Sequence, residues 1–173
     1  PGAGMRVVVV PSTLALLPAY ASIEDPVADL RTAVDAAVSW LLEPGPAAGV
    51  AGSVAGQEVV DHLLPPAGET IPGLLLAANG SAMRTEKAPG HLDERAEAFD
   101  AAIGAALAAG DLDALATIDL DLAAQLLAGE DAAAFVALGR RLAGRTRVAE
   151  VRVDYDDAPY GVQYWVVRWQ CES

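Results

Sequence analysis

A single α/β domain with a mixed sheet flanked by helices is predicted by three features of the chain. One is a continuous β-branched run near the start, Val7-Val8-Val9-Val10. The second is a set of helical apolar stripes set between strand-sized runs, and the third is a pair of strand-like segments joined by turn formers at the end, a C-terminal antiparallel hairpin. The 173 residues suit one ordinary domain, and at 53% apolar they can bury a core.

Residues 5–10 read as a strand covered on both faces, and therefore as a central one. Asp25-Pro26 supplies an N-cap followed by proline at the first helical position. Val27, Leu30, Val34, Ala37, Val38 and Leu41 then recur at helical spacing until Glu43-Pro44-Gly45-Pro46 ends the helix. Residues 47–56 are small and weakly periodic, and a short strand fits over 49–54. Residues 71–78 are a second buried strand. Asn79-Gly80-Ser81 breaks it at its carboxyl end, the end at which ligands bind in open α/β sheets.

Leu92, Ala96, Phe99, Ile103 and Leu107 form a helical stripe with Asp93 as cap and Gly110 as terminator. Two shorter helical patterns follow, over 112–127 with a break near Asp119 and over 131–142. Arg140, Arg141 and Arg145 then sit where a helix dipole favours cations. In residues 148–155, Val151, Val153 and Tyr155 alternate with Glu150, Arg152 and Asp154, as in a half-buried strand. Residues 162–169 form another, and Asp156-Asp157-Ala158-Pro159-Tyr160-Gly161 between them is rich in turn formers.

Eleven basic residues against twenty-four acidic ones give a formal charge of −13, a field that repels phosphate backbones and anionic headgroups. Nucleic-acid binding and electrostatic membrane docking are disfavoured. No apolar run approaches the roughly 20 residues of a membrane span. The single cysteine, Cys171, allows no intrachain disulfide, and a cytoplasmic protein is expected. Residues 1–4, ahead of Met5, read as a remnant of cloning, which leaves 5–173 as the domain.

Dinucleotide-binding, P-loop, HExxH and GxSxG patterns are all absent. Asn79-Gly80-Ser81 matches a glycosylation acceptor, but its place after a core strand makes that a chance match. The only histidines, His62 and His91, are too few for a site that needs three or four converging ligands. No cofactor is therefore expected. The alternative is Fe(II) or another divalent metal held by His62 with acidic residues.

Asp154, Asp156 and Asp157 suit turn chemistry better than a hard-cation site. Residues 81–87, Ser-Ala-Met-Arg-Thr-Glu-Lys, carry hydroxyls and both charge signs. They either orient an anionic or polar ligand or form a solvated loop, and the residues alone leave both open. Trp40, Trp165 and Trp169 read as core or sheet-face residues.

Three segments together resemble the B-type superfamily of class III extradiol ring-cleavage dioxygenases, in particular its short bacterial members. They are Val10-Pro11-Ser12-Thr13-Leu14-Ala15-Leu16-Leu17-Pro18; Gly80-Ser81 through Arg84-Thr85-Glu86-Lys87-Ala88-Pro89-Gly90 to Phe99-Asp100; and Tyr155-Asp156-Asp157-Ala158-Pro159-Tyr160-Gly161-Val162. The match spans most of residues 5–169 and is poor near 50–72.

In active members, the resemblance implies, a Pro-His-Pro segment after the first strand supplies an iron ligand, and here Pro11-Ser12-Thr13 stands in that place. A second histidine, in a Ser-Pro-His-like setting, has no counterpart in Val50-Ala51-Gly52-Ser53. The acid/base histidine of a Gly-Asp-x-Ser-His pattern aligns with Ala82. Fe(II) dioxygenation needs two histidines and a carboxylate with open positions for substrate and oxygen, so the resemblance argues for the fold and against the reaction.

The expected function is that of a non-catalytic, extradiol dioxygenase-like domain that binds a small ligand or a protein partner through the former active-site cleft. Ser12, Asn79, Ser81, Arg84, Glu86, Lys87, Asp157 and Tyr160 are the expected binding residues. In this reading Arg84 and Lys87 hold an anion, Glu86 pairs with one of them and Tyr160 walls the cleft. Two other readings are an enzyme of altered metal chemistry, which requires His62 near Ser12 and Ser81, and a structural homo-oligomer whose Trp-bearing hairpin pairs between chains.

Overall fold

The computed structural model describes residues 4–20, 27–66 and 72–173. Strand β1 (Arg6–Val10) leads into two short 3-10 turns (Leu14–Leu16 and Pro18–Tyr20), then helix α1 (Ala28–Leu42), β2 (Ala47–Ala51), α2 (Val54–Leu63) and β3 (Gly73–Ala77). Four helices follow, α3 (Arg95–Ala109), α4 (Leu112–Ala116), α5 (Leu120–Gln125) and α6 (Gly129–Leu142), before β4 (Arg147–Asp157) and β5 (Tyr164–Glu172).

The sheet order is β2-β3-β1-β5-β4, with β1 in the middle. β1, β2 and β3 run parallel, with Val9 opposite Leu76 and Leu76 opposite Val50. β5 runs antiparallel to both β1 and β4, placing Val167 opposite Val9 and Val153. Helices cover both faces, which is why β1 and β3 are apolar at consecutive positions. Val8, Val10, Leu75 and Val166 pack toward α1 and α2, and Val7, Val9, Leu74, Leu76 and Val167 pack toward α3–α6. Trp165 and Trp169 fill the second layer: Phe135 meets Trp165 edge-on at 5.9 Å, and the Trp169 indole donates to the Leu107 carbonyl at 2.9 Å. Both tryptophans are buried. No helix among the described residues is long and apolar enough to cross a membrane.

The mixed sheet, the central β1, the terminal hairpin and the stripe of α1 follow the sequence expectation; Asp25-Pro26 and Ile71 lie outside the described residues. Gly110 ends α3 with φ 63°, and Asp119 both breaks the 112–127 pattern and caps α5 by accepting from Leu122 N–H at 3.0 Å.

Three expectations need correction. The strand placed at 49–54 lies at Ala47–Ala51, and Val54 instead opens α2, whose cap is Ser53 accepting from Gly56 N–H at 3.0 Å. Leu92 lies ahead of α3 and is 52% exposed. The alternation of β4 breaks at a bulge between Val153 and Tyr155. Val151 packs against the α3–α6 layer, Val153 is exposed, and Tyr155 packs toward α1 and α2. A bulge inserts one residue on one strand and shifts the face of every residue beyond it. Here it carries β4 on to Asp157, so Asp156 and Asp157 lie opposite Trp165 and Tyr164 in the ladder rather than in the turn.

Candidate functional site

The carboxyl ends of β1, β2 and β3 open at one edge of the sheet, and the chain leaves each through a small polar residue: Ser12, Ser53 and Asn79. Two helix-borne carboxylates close over this edge. Asp131, in the first turn of α6, accepts from Ser12 Oγ at 2.7 Å and Asn79 N–H at 2.9 Å, while Asn79 Oδ1 accepts from Ser12 N–H at 2.8 Å. Asp100, from the buried face of α3, accepts from Ser81 N–H at 2.7 Å and Ser81 Oγ at 2.6 Å. Burial raises the pKa of both carboxyl groups, and their hydrogen-bond donors oppose that rise.

Gly80 passes between these anchors. A Cβ there would lie 2.6 Å from Asp100 Oδ1 and 2.7 Å from both Gln163 and Trp165, so no side chain fits. Gln163 extends the Asp100 network outward. Its Oε1 accepts from Arg84 Nη1 at 2.6 Å, its Nε2 donates to Asp156 Oδ1 at 2.6 Å, and Arg84 Nη1 lies 3.5 Å from Asp100 Oδ2. Ser81, Asp100 and Gln163 are all buried. The chain of contacts therefore runs from a sealed serine to an exposed aspartate. The β4 bulge makes this possible, because it puts Asp156 opposite Trp165 and within reach of Gln163.

Alongside this network lies a cleft of about 410 Å³, between α3 and the end of the β4–β5 hairpin. Arg84, Glu97, Asp100, Asp156 and Gln163 supply its polar groups, and Ala101, Gly104, Ala105 and Ala108 line its apolar wall. A larger hollow of about 570 Å³ between α3 and α4–α5 is lined mainly by Phe99, Ile103, Ile118, Leu122 and alanines. Its one cation, Arg95, is held by Asp93 at 2.8 Å.

Of the expected binding residues, Ser12, Asn79, Ser81 and Arg84 come together in these networks. The other four do not. Glu86 and Lys87 are exposed and form no ion pair among the described residues; Arg84 pairs with Asp100 instead of Glu86. Asp157, the last residue of β4, accepts from its neighbour Ala158 N–H at 2.7 Å and reaches nothing in the networks. Tyr160 is 44% exposed and does not line the cleft.

The 81–90 segment and the hairpin turn, both singled out by resemblance, lock onto each other. Arg84 N–H donates to the Gly161 carbonyl at 3.0 Å, and Gly161, at φ 75°, has Ala88 where a Cβ would stand. Ser81 is buried and Asn79 is engaged with Ser12, so the glycosylation pattern is sterically closed.

His62 is exposed in the last turn of α2, which runs back from the carboxyl edge. Its helix neighbours Val60, Asp61 and Leu64 lie against Ala47, Ala48 and Gly49 at the start of β2. It does not approach Ser12 or Ser81. Among the described residues no three His, Cys, Asp or Glu side chains are grouped as metal ligands would be. His91 is exposed, with Nδ1 3.1 Å from the Glu86 carbonyl oxygen. Cys171 is buried, and burial pushes its thiol up to about 11, an unreactive form.

The chain matches no family model and no curated protein.

Proposed function

We propose that the chain is a non-catalytic domain, a degenerate relative of the class III extradiol dioxygenases, that binds a small polar ligand in the cleft beside its sheet edge. The observation that carries this reading is the state of the two serines. Ser12 and Ser81 each give their hydroxyl proton to a buried carboxylate, Asp131 and Asp100. Neither faces a histidine, and each carboxylate also holds a backbone N–H; Asp131 does so through Oδ2 alone, and its buried Oδ1 has no hydrogen-bond partner among the described residues. A nucleophile needs a base free to take its proton, and a general base needs reach to a substrate.

The kinship is supported by position. Ser12, the stretch 50–53 and Ala82, which the resemblance sets against the family's histidines, all lie at or just beyond the carboxyl ends of parallel strands, at the same edge of the sheet. Ligand binding is supported by the 410 Å³ cleft, within the size range of small-molecule sites, and by buried polar groups that converge on it.

A fragment screen followed by ¹H–¹⁵N NMR on the full chain tests this. Saturable shifts at Gly104, Ala105 and the Gln163 side-chain amide, abolished by Gly104→Leu, are the expected result. Shifts elsewhere only, or turnover of a catechol with added Fe(II), would replace the proposal.

A further inference from the structure

We infer that the outer edge of β4 pairs with the β4 of a second copy of the chain, antiparallel about a two-fold axis at Val151, so that two five-stranded sheets join into one. The contact rests on residues 150–153 and uses no residue of the ligand cleft. It gives the pairing of the hairpin between chains a strand and a register.

β4 is the last strand of the sheet and, at eleven residues, the longest among the described residues. Outside its ladder with β5 it makes no hydrogen bond to other backbone among the described residues, so alternate N–H and C=O groups along its outer side are open. The opposite edge, β2, is five residues long with glycine at its middle, a form that discourages pairing. β4 carries neither proline nor lysine, the residues that commonly blunt an edge. Its bulges, between Val148 and Glu150 and between Val153 and Tyr155, bound a regular stretch in which residues 150–153 match 170–167 of β5 one for one.

The side chains of that stretch select a second copy. Glu150 and Arg152 stand opposite Gln170 and Arg168, and Arg168 in turn stands opposite Val8, on the α1–α2 side of the sheet. Both are exposed. Glu150 forms no ion pair among the described residues. Arg152 lies 2.8 Å from Asp154, but Arg168 lies 2.6 Å from the same carboxylate, so two arginines share one counter-ion. Antiparallel pairing centred on Val151 sets Glu150 of each chain directly opposite Arg152 of the other, and symmetry makes the ion pair twice. On the other face, beside Val167 and Trp169, it sets Val151 against its own copy and places Val153, 44% exposed, diagonal to it. Register can slip only in steps that keep each face in place. One such slip brings Glu150 against Glu150, and the other brings Arg152 against Arg152 and Glu150 against Asp154. Like charges reject both.

The test is sedimentation equilibrium of the full chain over a rising concentration series, with hydrogen exchange on the same samples. Salt is held at about 0.15 M to screen the repulsion between two chains of charge −13. Expected are a mass approaching that of two chains and slowed exchange at alternate amides of residues 148–154. Glu150→Arg and, separately, Arg152→Glu should each weaken self-association by about tenfold or more, since like charges then face each other at both pairs. An equal mixture of the two variants should associate again, because each supplies the charge the other lacks, a result that misfolding of either could not give. Glu86→Arg, the same change of charge at an exposed residue away from β4, should leave association unchanged.

A monomer throughout the series would overturn the inference and leave the edge to an extended segment of another protein. A dimer indifferent to Glu150→Arg, a mixture that associates no better than its components, or a dimer without protection in β4 would overturn it equally. None of these measurements reads the cleft, so the small-ligand reading stands or falls separately.

Discussion

Asp131 and Asp100 do the same work on either side of Gly80 in different surroundings. Each takes a backbone N–H and a serine hydroxyl from the carboxyl edge of the sheet, and each has its pKa raised by burial. Asp131 has no arginine partner among the described residues and sits in the first turn of α6, where the helix dipole favours its charge. Asp100 lies in the second turn of α3, is more deeply buried, and has Arg84 beside it and an open cleft beyond. The first carboxylate is a fastener. The second is a fastener whose counter-ion reaches solvent, and only the second can pass a change in the cleft to the sheet edge.

The strongest test of that contrast is removal of each carboxyl group in turn. Asp100→Ala leaves two buried Ser81 donors without their acceptor and takes the counter-ion, though not Gln163, from Arg84, and should cost about 3–5 kcal/mol in urea unfolding. Asp131→Ala should cost about 1–3 kcal/mol, because Ser12 and Asn79 lose hydrogen bonds but no cation loses a counter-ion and a buried, unpartnered oxygen is removed. Equal losses would mean that Arg84 adds nothing and that the two sites are the same.

A finer test is pH. Both carboxyls have folded pKa values raised above the ordinary 3.8, so the folded state binds their protons more readily than the unfolded state. Their contribution is full below 3.8 and is lost as pH rises through the folded values. Stability relative to Asp100→Asn or Asp131→Asn should therefore fall with rising pH in the window that opens at 3.8, and each variant should flatten part of that slope. Asp93 has the opposite sign. Its hydrogen bond with Arg95 lowers it to about 2, so its contribution is present above 3.8 and lost as pH falls through about 2. At the small end, Glu86→Ala and Lys87→Ala should stay within about 0.5 kcal/mol of the parent, since neither belongs to either network.

How much of this was legible depended on what each residue answers to. β1, α1 and the terminal hairpin were readable because their apolar spacing records burial directly. Asp100 was readable in principle, for it interrupts the stripe Ala96, Phe99, Ile103 and Leu107 on the face that turns inward. An acid on a buried face requires partners. Asp131 gave no such signal, because acids are ordinary in a first helical turn. α2 was hidden by the small residues before it, and its cap at Ser53 announces a helix only once Val54 is known to be outside the strand.

Asp156 was the least accessible. Its face is set by a bulge two residues earlier, and turn-forming neighbours assigned it to the connection instead of the strand. Glu86, Lys87 and Tyr160 were chosen for chemistry that their exposure does not use.

β1 lies between β3 and β5, pairing its first four residues with residues 167–170 near the other end of the chain. During synthesis the middle strand of the sheet therefore waits for the last strand to be made. Until then one whole side of a Val-Val-Val-Val segment has no ladder partner, and Trp165 and Trp169 are missing from the layer beneath it. Pairings of such long range are slow to close and leave apolar strand exposed meanwhile. The same placement that buries β1 so completely in the finished molecule leaves it open along one edge until β5 arrives.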